Sequence, residues 1–275
     1  RNADDCICSL TAAVLENRKD VLLLAPRFPV ADDTDLEIKE GGMVMIWSNT
    51  DPSGPWRYGA NSVSPTVASN ISSYYAVDRL LEAVLRIPTL EHVTIVGHSS
   101  GGQFVQRWSL LTSIWDERMR AVVANPSSYA YLTPLRFVDG TWGPPNSKTC
   151  SNNNHWERGL ERGYGHHDVL YVRDVVESLG TDAWTRRFAS RELIYLIGGQ
   201  DRCNVSSSNG WCFSHSLETS CRDNLQGSNR FQRHHRYDAS LKLVGILHHR
   251  RRTVPSVGHD HSLVFNSDAG LEAIF

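Results

Sequence analysis

The sequence predicts an α/β fold: a mostly parallel, twisted sheet with helices on both faces and a cap-like excursion between two late strands. Three observations carry this reading. Short runs rich in Val, Ile and Leu alternate with longer segments whose apolar residues recur at helical spacing. The short runs are apolar nearly throughout, as strands covered on both faces are. The 275 residues fit one domain of this class, so residues 1–275 are expected to form a single unit with 126–190 inserted as a cap or lid.

Taken in order, "CICSLTAAVLENR" at 5–17 reads as a helix opened by Asp4 or Asp5, and "VLLLA" at 21–25 as a buried strand. Within the irregular span 31–70, "MVMIW" at 43–47 is the one expected strand. A helix over 72–86 ends at "IP", where proline disfavours continuation. Strand "HVTIV", a turn at Ser99, a helix to about residue 113 and strand "MRAVVAN" at 119–125 follow. The excursion is rich in Gly, Pro and Asn except for a helical stretch, "HDVLYVRDVVESLG". Strand "ELIYLIG" at 192–198, a cysteine-bearing loop, a helix near 229–247, a short strand around "RTV" and a helix from about His261 complete the chain.

A net charge of −2 gives no electrostatic reason to expect nucleic acid or an anionic membrane as partner. The run "HHRRR" at 248–252 reads as a solvated patch between two elements. No apolar run reaches the roughly 18 to 20 residues that cross a bilayer, and no leader pattern opens the sequence, so a soluble protein is expected. The six cysteines include Cys203, Cys212 and Cys221 in a polar stretch that looks tied down by disulfides; Cys6 and Cys8 are too close to bridge each other easily. Fifteen pairings remain open. With the sequons at Asn70 and Asn204, this favours a secretory compartment, the cytoplasm being the alternative.

The stretch "EHVTIVGHSSGGQFVQ" makes Ser99 a candidate nucleophile. A serine can attack only if it stands clear of the sheet, and a sharp strand-to-helix turn achieves that by forcing strained backbone angles. Side chains two positions before and after would collide in such a turn, and Gly97 and Gly101 remove them. The following helix aims its free N–H groups at the same spot, so the N–H of Ser100 is the candidate oxyanion donor.

A serine needs a base and an acid that orients it. "YLIGGQD" puts Asp201 just past the carboxyl end of an apolar strand, where sites of open sheets collect, with Glu192 and Asp223 as weaker rivals. "TVPSVGHDH" supplies His259 after the last strand; His261 and Asp260 lie beside it, and His98 more naturally packs or lines the pocket. Tyr129, Tyr131, Trp142 and Trp156 could wall the site or pack the excursion onto the sheet.

"VTIVGHSSGGQ", "YLIGGQD" and "VPSVGHDH", in this order, resemble the α/β-hydrolase superfamily across nearly the whole chain, and "LETSCRDNLQGSNRFQRHHRY" is similar to a fungal and bacterial branch of it. In that branch "RNADD" looks like the segment just after an early strand, which implies that the first strands, and the second oxyanion donor with them, precede Arg1. The resemblance implies a serine hydrolase that transfers an acyl group to water, with Ser99 as nucleophile, His259 as base, Asp201 as its partner and no cofactor; a carboxylic ester of a small or medium acid is the expected substrate. The expected partner is a small-molecule ester or acyl substrate; the oligomeric state is open. Peptidase or thioesterase activity on the same fold, or a binding protein without chemistry, are the alternatives. A metal site from Cys203, Cys212, His215 and Cys221, or from His259 and His261, is disfavoured because the cysteines lack tight C-x-x-C spacing.

Overall fold

The computed structural model describes residues 10–11, 20–30, 45–48, 54–63, 71–161, 169–203 and 217–275. Asn70, Asn204, Cys6, Cys8, Cys212 and His215 lie outside these, as do most of the expected helix at 5–17, of which Leu10 and Thr11 are helical, and Met43 and Val44 of the expected strand at 43–47.

Helix α1 (Ser73–Leu85) starts where the Ser72 side chain accepts a hydrogen bond from the Tyr74 N–H. It is followed by β1 (Val93–His98), α2 (Ser100–Leu111), β2 (Met119–Ala124), the short strands β3 (Arg136–Val138) and β4 (Thr141–Gly143), α3 (Leu170–Ala189) and β5 (Glu192–Gly198). Then come α4 (Cys221–Asn224), α5 (Arg230–Leu243), β6 (Arg250–Val254), α6 (His261–Phe265) and α7 (Asp268–Ile274). The central sheet runs β1-β2-β5-β6, and every pairing in it is parallel. β3 and β4 form a separate antiparallel pair.

Successive residues of a strand face opposite sides of its sheet, and the two cores divide on that period. Ala121, Val123, Leu193 and Tyr195 enter the larger core, with α1, α2, α3 and α5, whereas Val122, Ala124, Ile194 and Leu196 enter the smaller one, with α6 and α7. Asp78 on α1 ties three helices of the larger side together. Its carboxylate accepts from Trp108 Nε1 at 2.8 Å and Thr112 Oγ1 at 2.7 Å on or just after α2, and from Tyr171 Oη at 2.7 Å on α3.

Several expectations change in detail. "VLLLA" is not a strand: Leu22 and Leu24 are exposed, and the nearest sheet-like contact is a single bridge between Val30 and Trp47. The described part of "MVMIW" contributes that bridge alone. The excursion helix runs to Ala189, with the backbone leaving helical angles at Gly180, the residue where the sequence reading ended it. Its Val172, Trp184 and Phe188 are buried in the larger core. Tyr129, Tyr131 and Trp156 take the packing role: all three are buried in the larger core, and Tyr129 stacks on Tyr237 of α5 with ring centroids 4.2 Å apart. The "HHRRR" run is no linker, since Arg250, Arg251 and Arg252 open the edge strand β6. Each pairs with a carboxylate, Glu192, Asp238 and Glu272 in turn, which charges an edge that would otherwise invite another strand.

Cys221 bridges Cys150, so the bond joins the excursion to the segment between β5 and α5. Closing a sequence separation of 71 residues is worth about 4 kcal/mol in the chain-entropy picture. The same segments meet in a buried ionic network. Arg158 contacts Glu157, Glu218 and Asp223 at 2.6, 3.0 and 2.5 Å, and Glu218 also accepts from Tyr58 Oη, Ser127 Oγ and Ser128 Oγ. Burial would raise the Glu218 carboxyl, but the Arg158 and Arg57 charges and the Tyr58 hydroxyl outweigh it and hold it far below the usual carboxylate range.

His234 on α5 is fully enclosed, with Nδ1 3.1 Å from Tyr129 Oη. Burial first, then the charges of His235 and Arg251, push its ring from 6.5 down to about 3. Between these values the unfolded chain binds a proton that the folded protein refuses, so acid favours unfolding. The melting temperature is therefore expected to fall as pH drops from about 6.5 toward 3. The slope should be shallower in His234→Gln, read by thermal melts across pH; equal slopes in the two proteins would contradict the assignment.

Candidate functional site

Among the described residues, the four strands of the central sheet point their carboxyl ends at one rim, and the register aligns His98 with Ala124 at the ends of β1 and β2. Each candidate residue sits one to five positions past such an end: Ser99 after β1, Asp201 after β5 and His259 after β6. Open parallel sheets gather ligands at this edge.

Ser99 occupies the turn itself, at φ 55° and ψ −115°. A side-chain-bearing residue rarely adopts such angles, and they persist only where the surroundings enforce them. Here the Ser99 N–H donates to Ala124 O at 3.0 Å and the Ser99 carbonyl accepts from Gln103 N at 3.0 Å. Serine in front of a helix ordinarily turns its hydroxyl back to cap the backbone. Ser99 precedes α2 yet makes no side-chain cap; its Oγ lies 3.0 Å from His259 Nε2 instead.

The glycines of the turn work differently from the sequence expectation. A Cβ on Gly97 would fall 2.2 Å from Gly101 O, and one on Gly102 would fall 2.6 Å from Ala124 O, whereas one on Gly101 would meet nothing within 4 Å. Gly101 contributes its backbone to a tight contact; the second position that must lack a side chain is Gly102, where α2 crosses the end of β2.

The other nitrogen of the imidazole, His259 Nδ1, lies 2.7 Å from Asp201 Oδ2. The carboxylate is completely buried and the ring is 7% exposed. Burial alone would raise the Asp201 carboxyl; the His259 contact, the nearby Arg230 charge and a bond from Asn125 outweigh it and leave the group below its ordinary value. Arg230 Nη1 stands 3.7 Å from Oδ1, and Asn125 Nδ2 donates to Oδ2 at 2.6 Å. The loop that carries His259 reaches this point by crossing the end of β5 at Gly198, where a Cβ would lie 2.2 Å from Gly258 O.

The rival residues are elsewhere. Glu192 begins β5, at the opposite end from the rim, and pairs with Arg120 and Arg250. Asp223 is the third residue of α4, where it completes a capping box with Ser220 and contacts Arg158. Asp260 Oδ1 caps α6 through Leu263 N. The His98 ring packs beside His259 with centroids 4.6 Å apart and lies 5.9 Å from His261. Cys221 and Cys203 are both disulfide-bonded and so unavailable as metal ligands, and the described residues contain no cluster of metal-binding side chains. Among the described residues no helix is long and apolar enough to cross a membrane.

Asn125 and Arg230 were missed by sequence reasoning. A polar residue closing the apolar run "MRAVVA" at the strand end beside the Ser99 turn was the available signal for Asn125. Arg230 offered none, because its proximity to Asp201 comes from the packing of α5.

The turn is testable on its own. Gly97→Ala and Gly102→Ala should each destabilise the protein by about 1–3 kcal/mol, since backbone must move to admit the methyl group. Gly101→Ala, inside α2, should melt at or above the parent temperature because alanine favours a helix. Thermal melts of the three variants check this, and a Gly101→Ala loss as large as the other two would contradict it.

No family model matches the chain, and no curated protein matches it. Solved structures do. Poly(3-hydroxybutyrate) depolymerase LpqC from Bordetella parapertussis aligns at 22% identity with a TM-score of 0.51, covering 73% of this chain and 56% of its own. Poly(aspartic acid) hydrolase-1 from Sphingomonas sp. KT-1 aligns at 19% identity with a TM-score of 0.50, covering 80% of this chain and 66% of its own. The chain thus spans somewhat over half to two thirds of these proteins. Parallel strand order, helices on both faces and these likenesses agree: the chain has the α/β-hydrolase fold.

Proposed function

We propose that this chain is a serine hydrolase that cleaves a carboxylic ester through an acyl-enzyme intermediate. The observation that carries the reading is one unbroken line of contacts, Ser99 Oγ to His259 Nε2 at 3.0 Å and His259 Nδ1 to Asp201 Oδ2 at 2.7 Å. In the proposed reaction the Ser99 oxygen attacks the ester carbonyl while His259 Nε2 takes the hydroxyl proton. The charged ring is stabilised by Asp201, which also keeps the remaining ring proton on Nδ1 and so leaves Nε2 free to accept. As the tetrahedral intermediate collapses, the same proton passes to the departing alkoxide and the alcohol leaves. Water then repeats the sequence on the acyl-serine, releasing the acid and restoring the hydroxyl.

Ser100 is the proposed oxyanion donor. It is the first residue of α2, and an N–H in a helix's first turn has no acceptor within that helix. The positive end of the helix dipole lies at the same point and favours negative charge there. Of the two likened proteins, one is named a poly(3-hydroxybutyrate) depolymerase and the other a poly(aspartic acid) hydrolase, which agrees with hydrolysis by this chain. The Cys150–Cys221 bridge fits work in an oxidising, secretory compartment.

Ser99→Ala should abolish turnover of p-nitrophenyl acetate while leaving the melting temperature nearly unchanged. His259→Ala should lower kcat by several orders of magnitude, to roughly 10³–10⁴-fold above the uncatalysed rate. Only a neutral imidazole can accept the serine proton, so kcat/KM should decline as pH falls through the histidine range. Parent-like rates in either variant would remove that residue from the mechanism, and a flat profile between pH 5 and 8 would exclude His259 as base.

A further inference from the structure

Asn125 follows the last residue of β2 and is completely buried, with a left-handed φ of 45° that asparagine tolerates better than most residues. Its backbone N–H donates to Leu196 O of β5 at 3.0 Å. Its side chain reaches three further places. Nδ2 donates to Asp201 Oδ2 at 2.6 Å and to Gly258 O, the residue before His259, at 3.3 Å; Oδ1 accepts from Gly198 N at 3.4 Å. The orientation of the amide follows from chemistry, since the reverse would set an oxygen against a carboxylate and a carbonyl.

We propose that Asn125 is a positioning residue for the Ser99, His259 and Asp201 set: it fixes the acid loop and the base loop to one another across the end of β5. This rests on the hydrolase reading only for its consequence in turnover. The geometry makes a specific demand on the residue type. Two donors on one atom are needed, one for the acid and one for the carbonyl beside the base, with an acceptor for Gly198 on the other branch; asparagine supplies both, whereas an ionised aspartate of the same shape supplies no donor.

The Asn125 donor also shares Oδ2 with the imidazole. An amide bonded to that oxygen draws off part of the negative charge that would otherwise stabilise a protonated ring. Among the described residues, the charged and titratable groups beside His259 include Asp201, with Arg230 behind it, the neighbouring His98 ring with His261 beyond, and Asp260 next in the chain. Removing the Asn125 donor leaves the others in place and makes the carboxylate a stronger partner for imidazolium. The ring then holds its proton to higher pH.

The test follows the His259 ring by NMR titration in the parent and in Asn125→Gly, which suits the left-handed backbone and removes the donor without adding a charge. The His259 midpoint should rise by about half a pH unit or more in Asn125→Gly. The acid limb of kcat/KM on p-nitrophenyl acetate should move with it, with kcat down about tenfold or more and KM little changed. A purely structural residue would lower the melting temperature and leave the midpoint where it was, and that result would overturn the proposal. In the parent, the Asn125 side-chain amide resonances should shift through the same midpoint as His259, a measurement that needs no variant. Amide signals indifferent to that titration would equally overturn it. A parent that turns over no ester, with the amide still tracking the ring, would instead remove the hydrolase reading and leave the positioning claim standing.

Discussion

The arrangement depends on the carboxyl ends of parallel strands meeting at one rim. Parallel pairing aligns the strands by direction, so the residue just past each carboxyl end arrives on the same side of the molecule however far apart the strands lie in sequence. Ser99 and His259 are separated by 160 positions and still stand in hydrogen-bond contact. The sheet alone supplies only rough proximity. The final fit comes from local features with identifiable causes: the enforced angles at Ser99, the missing side chains at Gly97, Gly102 and Gly198, and the burial of Asp201 beneath the imidazole.

Burying that carboxylate is expensive unless it is surrounded by donors and positive charge. The protein meets the demand at short range with His259 and Asn125 on one oxygen and Arg230 toward the other. At longer range the described residues 217–230, which end at Arg230, are themselves held, by Glu218 and Asp223 on Arg158 and by the Cys150–Cys221 bridge. The excursion and residues 217–230 are therefore linked by both a covalent bond and ion pairs.

Features governed by local sequence were legible in advance. The apolar runs that became β1, β2 and β5 are continuous because both faces are covered, and the Ser99 turn announces itself through its glycines. What escaped notice depends on contacts between distant segments. Nothing local distinguishes Gly101 from Gly102; the difference lies in whether Ala124 O is nearby. "RRRTV" has a poor strand composition and pairs as an edge because acidic side chains from β5, α5 and α7 neutralise its arginines. "VLLLA" has the composition of a buried strand, yet no strand of the described sheet pairs with it. Arg230 gains its place beside Asp201 only through the packing of a helix that begins 29 positions later.

Hydrolysis by this chain requires the hydroxyl at the strand-to-helix turn to be chemically activated by its neighbour, and covalent trapping tests that requirement most directly. After incubation with a fluorophosphonate, mass spectrometry of the intact chain and of its peptides should find a single adduct, located on Ser99. The adduct should form at a rate that collapses in His259→Ala. A folded protein that stays unmodified, or that carries the label on another residue, would contradict the account.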